Sequence, residues 1–171
     1  MTDSSDSIPR ILPVVQRVQR RGKELERFAN LWRIALIATF VLTLLDVTTH
    51  RLTVVNAGHM TPMIRRANGA IEVVGEAEVG VPLGIEPDTA FPTAETQLGP
   101  GDVVVLYTDG VSEAVGQKER FFGIDGLRAT LEATRGGAAE VGDAVLRALR
   151  SHVGNRTQSD DIALVCFGRT D

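Results

Sequence analysis

The stretch from Gly99 to Glu113 constrains this chain more than any other. Gly99-Pro100-Gly101 is followed by Asp102 and then by Val103 to Leu106, a short, apolar, β-branched run. That pattern reads as a buried strand entered from a tight turn. The strand stops abruptly at Thr108-Asp109-Gly110. A carboxylate at the rim of a buried strand is a rigid mount for a hard cation, because the sheet fixes the oxygen and Gly110 lets the backbone turn sharply. Taken alone, an Asp-Gly pair is better explained as ordinary turn chemistry. What raises this pair above that reading is a second acidic site, Asp160-Asp161, placed just before another strand-like run, Ile162 to Phe167.

A chain of 171 residues is long enough for one domain with a sizeable core. Its net charge of −4 gives no global field toward nucleic acid or anionic lipid. Cys166 is the single cysteine, so no internal disulfide can form, and a reducing cytoplasm is the expected location. Its apolar surroundings mark it as a small core residue rather than a reactive thiol. The first apolar run follows a long polar lead without a cleavage-like site, so no secretory signal is expected. Ile34 to Leu45 is free of charge but falls short of the ~20 residues that span a bilayer. It reads as a buried strand or core element, with a membrane contact as the weaker account, and no transmembrane span is expected.

Residues 1–33 divide into a Ser/Asp-rich tail and a helix from Pro9 to about Asn30, with Ile11, Val15 and Val18 on one stripe. Its outer face mixes Arg17, Arg20, Arg21, Lys23 and Arg27 with Glu24 and Glu26, as a solvated face does; docking of a partner there is the weaker account. Residues 34–171 form the main domain. Ile34–Asp46 and Arg51–Asn56 predict a hairpin, with Asp46 at its turn. Met63–Arg66 and Ala70–Val74 predict a second, built on Asn68-Gly69. Gly75–Asp88 reads as a loop, and Thr89–Leu98 as a strand with Pro92 at an edge or bulge. Asp125 is placed as the N-cap of a helix carrying Ile124, Leu127 and Leu131, and a second helix is predicted from Ala138 to His152. The sum is one α+β domain dominated by antiparallel hairpins.

If the strands bearing Asp109 and Asp160 are neighbours, their carboxylates converge. Carboxylates without a histidine or thiolate pair favour magnesium or manganese over zinc. Such ions, held in pairs, activate water and clamp phosphate oxygens. Six motifs then fall in a recognisable order: Asn56-Ala57-Gly58-His59, Pro82-Leu83-Gly84, Gly99-Pro100-Gly101-Asp102, Leu106 to Ala114, Phe122-Gly123, and Asp160-Asp161-Ile162. Their order and spacing resemble the SpoIIE-type phosphatases, bacterial members of the metal-dependent PPM serine/threonine phosphatases.

The resemblance implies a sandwich of two antiparallel sheets with flanking helices, and two manganese or magnesium ions at one end. It implies hydrolysis of phosphoserine or phosphothreonine on a regulatory protein, of the anti-sigma-factor-antagonist type. Asp109 and Asp160 then correspond to metal ligands. Asp161, Gly110, Asn56 and His59 correspond to supporting residues; a hydrogen-bonded turn histidine is an equal account of His59.

The family also carries two acidic motifs upstream, one of which supplies the carboxylate that bridges both metals. Before Ala35 this chain has only Asp3, Asp6, Glu24 and Glu26, none in such a motif. It has no Gly-His-Gly, and Ala163 stands where the family usually has Thr. Two functional expectations follow. One is a working metal-dependent phosphoprotein phosphatase, with the missing carboxylate supplied by another residue or another chain and activity reduced where it is not. The other is a catalytically inactive, phosphatase-like module that binds or regulates. The same departures predict weak metal binding and an exposed sheet edge.

Overall fold

A computed structural model describes residues 39–86, 88–117, 119–156 and 160–170. The tail and helix expected within residues 1–33, and the start of the first strand, lie outside the described residues. Among the described residues, eight strands and three helices follow in order: β1 (Phe40–Leu45), β2 (Arg51–Ala57), β3 (Met63–Arg65), β4 (Ile71–Val73), β5 (Val79–Gly80), β6 (Thr93–Gln97), β7 (Val103–Tyr107), α1 (Asp109–Ser112), α2 (Gly123–Ala133), α3 (Ala138–Val153) and β8 (Leu164–Gly168).

The strands make two sheets. In the first, β2 is central, with antiparallel β1 along one edge and β6 along the other; β5 adds a two-residue parallel pairing at the far end of β2. In the second, the order is β4-β3-β7-β8, antiparallel throughout. The α+β class and the sandwich are thus as expected.

Side-chain alternation along β7 explains the layering. Val104 faces the first sheet, in a core with Leu52, Val54, Ile64, Val74 and Leu98. Val103, Val105 and Tyr107 face the other way, against Leu127 and Leu131 of α2 and Val141, Val145 and Leu149 of α3. A strand covered on both faces needs an unbroken apolar run, which is why Val103–Leu106 carries no polar residue. The helix stripes follow from spacing: Leu127 and Leu131 are one turn apart, and Val141, Val145 and Leu149 repeat every four residues. All five are buried, and each full burial contributes ~1.5–3 kcal/mol. The start of α3 is secured when the Gly137 N–H donates to Glu140 Oε2 at 2.9 Å. Arg65, only 3% exposed, closes the other helix: its Nε donates to the Leu131 carbonyl at 3.2 Å, where a cation complements the helix C-terminus.

Four expectations shift at their edges. Gly75–Asp88 contains β5, whose pairing with β2 (Asn56 opposite Val79) is tertiary and leaves no periodic trace. Pro92 lies just ahead of β6, so it removes no ladder hydrogen bond. Asp125 sits in the first turn of α2 rather than capping it, because the helix begins at Gly123 after Phe122. The last strand begins at Leu164, since Ile162 and Ala163 belong to the lead that crosses the end of β7. Asp46 turns the first hairpin as expected, its Oδ1 accepting from Thr48 N at 2.8 Å and Thr49 N at 3.1 Å. Among the described residues, no helix is long and apolar enough to cross a membrane.

Candidate functional site

Because β7 and β8 are antiparallel neighbours, with Tyr107 opposite Leu164, the end of one strand meets the beginning of the other. Asp109 leaves β7 at the same rim where Asp160 and Asp161 approach β8. Thr108 ties the two segments together. Its N–H donates to the Ala163 carbonyl at 3.1 Å, its hydroxyl donates to the Asp161 carbonyl at 3.1 Å, and the same oxygen accepts from Ala163 N at 3.0 Å. One threonine thus fixes the backbone next to both acidic positions.

Asp109 opens α1, a single turn. Its side-chain Oδ1 accepts from Gly110 N at 2.9 Å, and its carbonyl accepts from Glu113 N at 2.7 Å and from the Ser112 hydroxyl at 3.1 Å. The requirement for glycine at 110 is not the one the sequence suggests. Gly110 is helical rather than left-handed, and is fully enclosed. A Cβ there would stand 2.3 Å from the Asp161 carbonyl oxygen. Only a residue without a side chain lets α1 come this close to the Asp160–Asp161 lead. The Asp-Gly pair is therefore a close-packing device that holds the two acidic segments together.

The Asp109, Asp160 and Asp161 side chains are all exposed, and Asp160 Oδ1 accepts from Asp161 N at 2.8 Å. An all-oxygen set of solvent-facing carboxylates on fixed backbone suits magnesium or manganese. The described residues nevertheless contain no group of three or more His, Cys, Asp or Glu side chains that could hold a metal ion. The donor chemistry fits a hard cation; the side-chain number falls short of a closed site. Cys166 lies on β8, half-buried, and burial alone pushes its thiol up to about 11, consistent with an inert core residue.

Asn56 and His59 form a neighbouring turn. Asn56, 2% exposed, donates from Nδ2 to the His59 carbonyl at 3.0 Å and accepts from His59 N at 2.8 Å. The His59 ring nitrogen Nδ1 lies 3.2 Å from the Met60 carbonyl. Gly58 has φ of 74°, and a Cβ on it would meet Pro82 Cγ at 2.6 Å. The Asn-Ala-Gly-His and Pro-Leu-Gly motifs are thus two halves of one packed corner. Met63 opposite Val105 sets the register of β3 on β7, which directs Met60–Pro62 toward the end of β7 that bears Asp109.

Sequence reasoning missed Thr108, whose partners lie 53 and 55 positions away. It also missed what the Gly-Pro-Gly-Asp motif does. At the opposite end of β7, Asp102 accepts from Arg66 Nη1 at 2.7 Å, Gly99 N at 2.8 Å and Ala67 N at 2.9 Å. Arg66 also holds Glu72 at 2.5 Å, Thr96 Oγ1 at 2.9 Å and the Gln97 carbonyl at 2.8 Å. This network lies at the far end of the strand from Asp109.

Residues 9–170 match the family described as Stage II sporulation protein E (SpoIIE). Protein IcfG of Synechocystis sp. (strain ATCC 27184 / PCC 6803 / Kazusa) is 29% identical over 136 residues, covering 80% of this chain and 21% of IcfG. The chain thus spans about a fifth of that relative's length. Among solved structures, the manganese-presoaked phosphatase domain of the cell fate determinant SpoIIE from Bacillus subtilis aligns with a TM-score of 0.63 at 14% identity. It covers 99% of this chain and 74% of that one. The SiaA-PP2C domain of Pseudomonas aeruginosa aligns with a TM-score of 0.67 at 21% identity, covering 80% of this chain and 53% of that one. At these identities the structural likeness is one of fold.

Proposed function

The chain belongs to the SpoIIE family, and from that premise we propose that it hydrolyses phosphoserine or phosphothreonine on a regulatory protein in a metal-dependent reaction. The observation that carries the reading is the clamp at the β7–β8 rim, where Thr108 and the enclosed Gly110 hold the Asp109 turn against the Asp160–Asp161 lead. Asp109 and Asp160 would hold the cations, manganese or magnesium, with Asp161 beside them. Bound there, the cations would polarise the phosphate ester and lower the pKa of a water. The chain's own part is to fix the carboxylates: Gly110 N and Asp161 N orient them, and Thr108 locks the backbone between. Asn56, Gly58 and His59 shape the adjoining corner.

The expected substrate is a phosphorylated anti-sigma-factor antagonist, and the expected compartment the cytoplasm; the family resemblance and the lone cysteine support these. A second reading is a phosphatase-like module that binds a phosphoprotein without hydrolysing it. It is favoured by the lack, among the described residues, of a third clustered ligand.

Purified protein, a phosphoserine peptide and manganese separate the two. Manganese-dependent phosphate release that disappears in Asp109→Ala is the expected result. No release, together with no manganese binding by calorimetry, overturns the hydrolytic reading.

A further inference from the structure

A cavity of about 370 Å³ opens beside the rim, between α1 with its following loop and the C-terminal half of α3. Gly110 and Ile162 form its near wall, Leu146 and Val153 line its apolar interior, and Arg150 and Arg156 stand in its lining as the two cations. Its size is in the range of sites that take one small ligand or side chain. We propose that this cavity docks the segment of the phosphoprotein flanking its phosphorylated residue, taking one apolar side chain inside and one acidic side chain on Arg150 and Arg156.

The placement supports this. Gly110 follows Asp109 directly, and Ile162 is two residues beyond Asp160, so the cavity wall begins about 4–8 Å along the backbone from either carboxylate position. An extended peptide advances about 3.3 Å per residue. A phosphorylated residue at the rim would thus deliver a side chain two or three positions away into the cavity.

The charge supports it as well. A chain of net charge −4 places two guanidiniums around one apolar hollow. Arg150, exposed in the last turn of α3, has no carboxylate partner among the described residues. Among the described residues, Arg156 pairs with Glu119 alone, at 3.5 Å, and the two side chains are 40% and 84% exposed. Exposed pairs of that kind are worth little and exchange readily for a better anion. A basic residue at a helix C-terminus is ordinary by itself. Two of them lining an apolar hollow next to a phosphate-ester site fit a peptide that is both acidic and apolar. The proposal rests on the hydrolytic or phosphoprotein-binding reading of the rim, which fixes where the phosphorylated residue sits.

The test uses the full chain with manganese and two probes. One is a fluorescein-labelled phosphoserine peptide with leucine two positions and glutamate three positions from the phosphoserine. The other is p-nitrophenyl phosphate, which has no flanking segment. In Arg150→Glu/Arg156→Glu, both exposed positions, peptide binding by fluorescence anisotropy should weaken about tenfold or more. A peptide with serine in place of leucine should bind the unaltered protein less tightly. Hydrolysis of p-nitrophenyl phosphate should stay within about twofold. Peptide binding unchanged by the double substitution, or no binding to the unaltered protein, overturns the proposal. Self-association by sedimentation that is lost in the double variant while peptide binding persists gives the cavity to a second copy, and also overturns it. Arginine-dependent peptide binding without any hydrolysis of either probe supports the docking site and removes only the hydrolytic reading.

Discussion

Two aspartates bound the same strand, and their surroundings are opposite. Asp102, at the start of β7, is 5% exposed and accepts hydrogen bonds from Arg66, Gly99 and Ala67. Asp109, beyond its end, is exposed and accepts at its carboxylate only from the neighbouring Gly110 N–H, with no cation paired to it among the described residues. At one end a carboxylate is consumed in holding a hairpin to a turn. At the other the backbone is held by Thr108 and Gly110 while the carboxylate is left facing solvent. The difference separates a structural acid from a candidate ligand: the first spends its lone pairs on the fold, and the second has the fold spent on positioning it.

The largest expected effect tests the buried end. Arg66→Met removes the cation from Asp102 and Glu72 and leaves Asp102 enclosed with two N–H donors only. Breaking one side of a buried pair costs about 3–5 kcal/mol, and the 22% exposure of Arg66 places this case near 3. Urea unfolding should register that loss. In the same measurement Asp109→Asn should change stability by less than about 0.5 kcal/mol, as exposed substitutions do. Equal costs at the two ends would break the contrast.

A smaller effect tests how the exposed end is positioned. In Gly110→Ala the new Cβ meets a backbone oxygen, which cannot swing away as a side-chain tip would. The expected cost is about 2 kcal/mol, within the range for overpacking an enclosed site. Because the clash separates α1 from the Asp161 lead, manganese affinity measured by calorimetry should fall as well. A stable Gly110→Ala protein with unaltered metal binding would show that the close approach does not position the carboxylates.

This contrast also marks where the sequence stopped being readable. The β7 run, the two helix stripes and the Asn68-Gly69 hairpin are local patterns, and local patterns survive in one dimension. Asp109 and Asp160 were marked by strand ends, again a local cue. Thr108 was invisible because a threonine after a strand says nothing about partners at 161 and 163. Arg66 enters the sequence reading only as the end of a hairpin arm, yet it gathers Thr96, Gln97 and Asp102 from beyond the next strand. β5 was missed because two residues pairing with β2 need no composition of their own. Gly110 was singled out for the wrong reason: turn chemistry is local, whereas the carbonyl that forbids a Cβ arrives from another segment.

The smallest expected effect sharpens the comparison through protons. Burial by itself would raise the carboxyl of Asp102, but the Arg66 guanidinium and the Gly99 and Ala67 N–H groups outweigh it and hold the group below the ordinary carboxylate value. Arg66 moves the opposite way: burial would lower it, yet Asp102 and Glu72 raise it, so it stays charged throughout the acid range. A folded carboxyl with a lowered pKa binds its proton less readily than the unfolded one. Its stabilisation is therefore complete above about pH 4, the ordinary value, and is lost as pH falls through the lowered one. Unfolding free energies measured from pH 6 down to pH 2.5 should decline for the native sequence below about pH 4. Asp102→Asn should start lower and decline less steeply, because its position no longer titrates. If Asp102→Asn declined as steeply as the native sequence, the ion pair at the start of β7 would carry no proton-linked stability, and burial could no longer be the property that marks Asp102 as the structural aspartate.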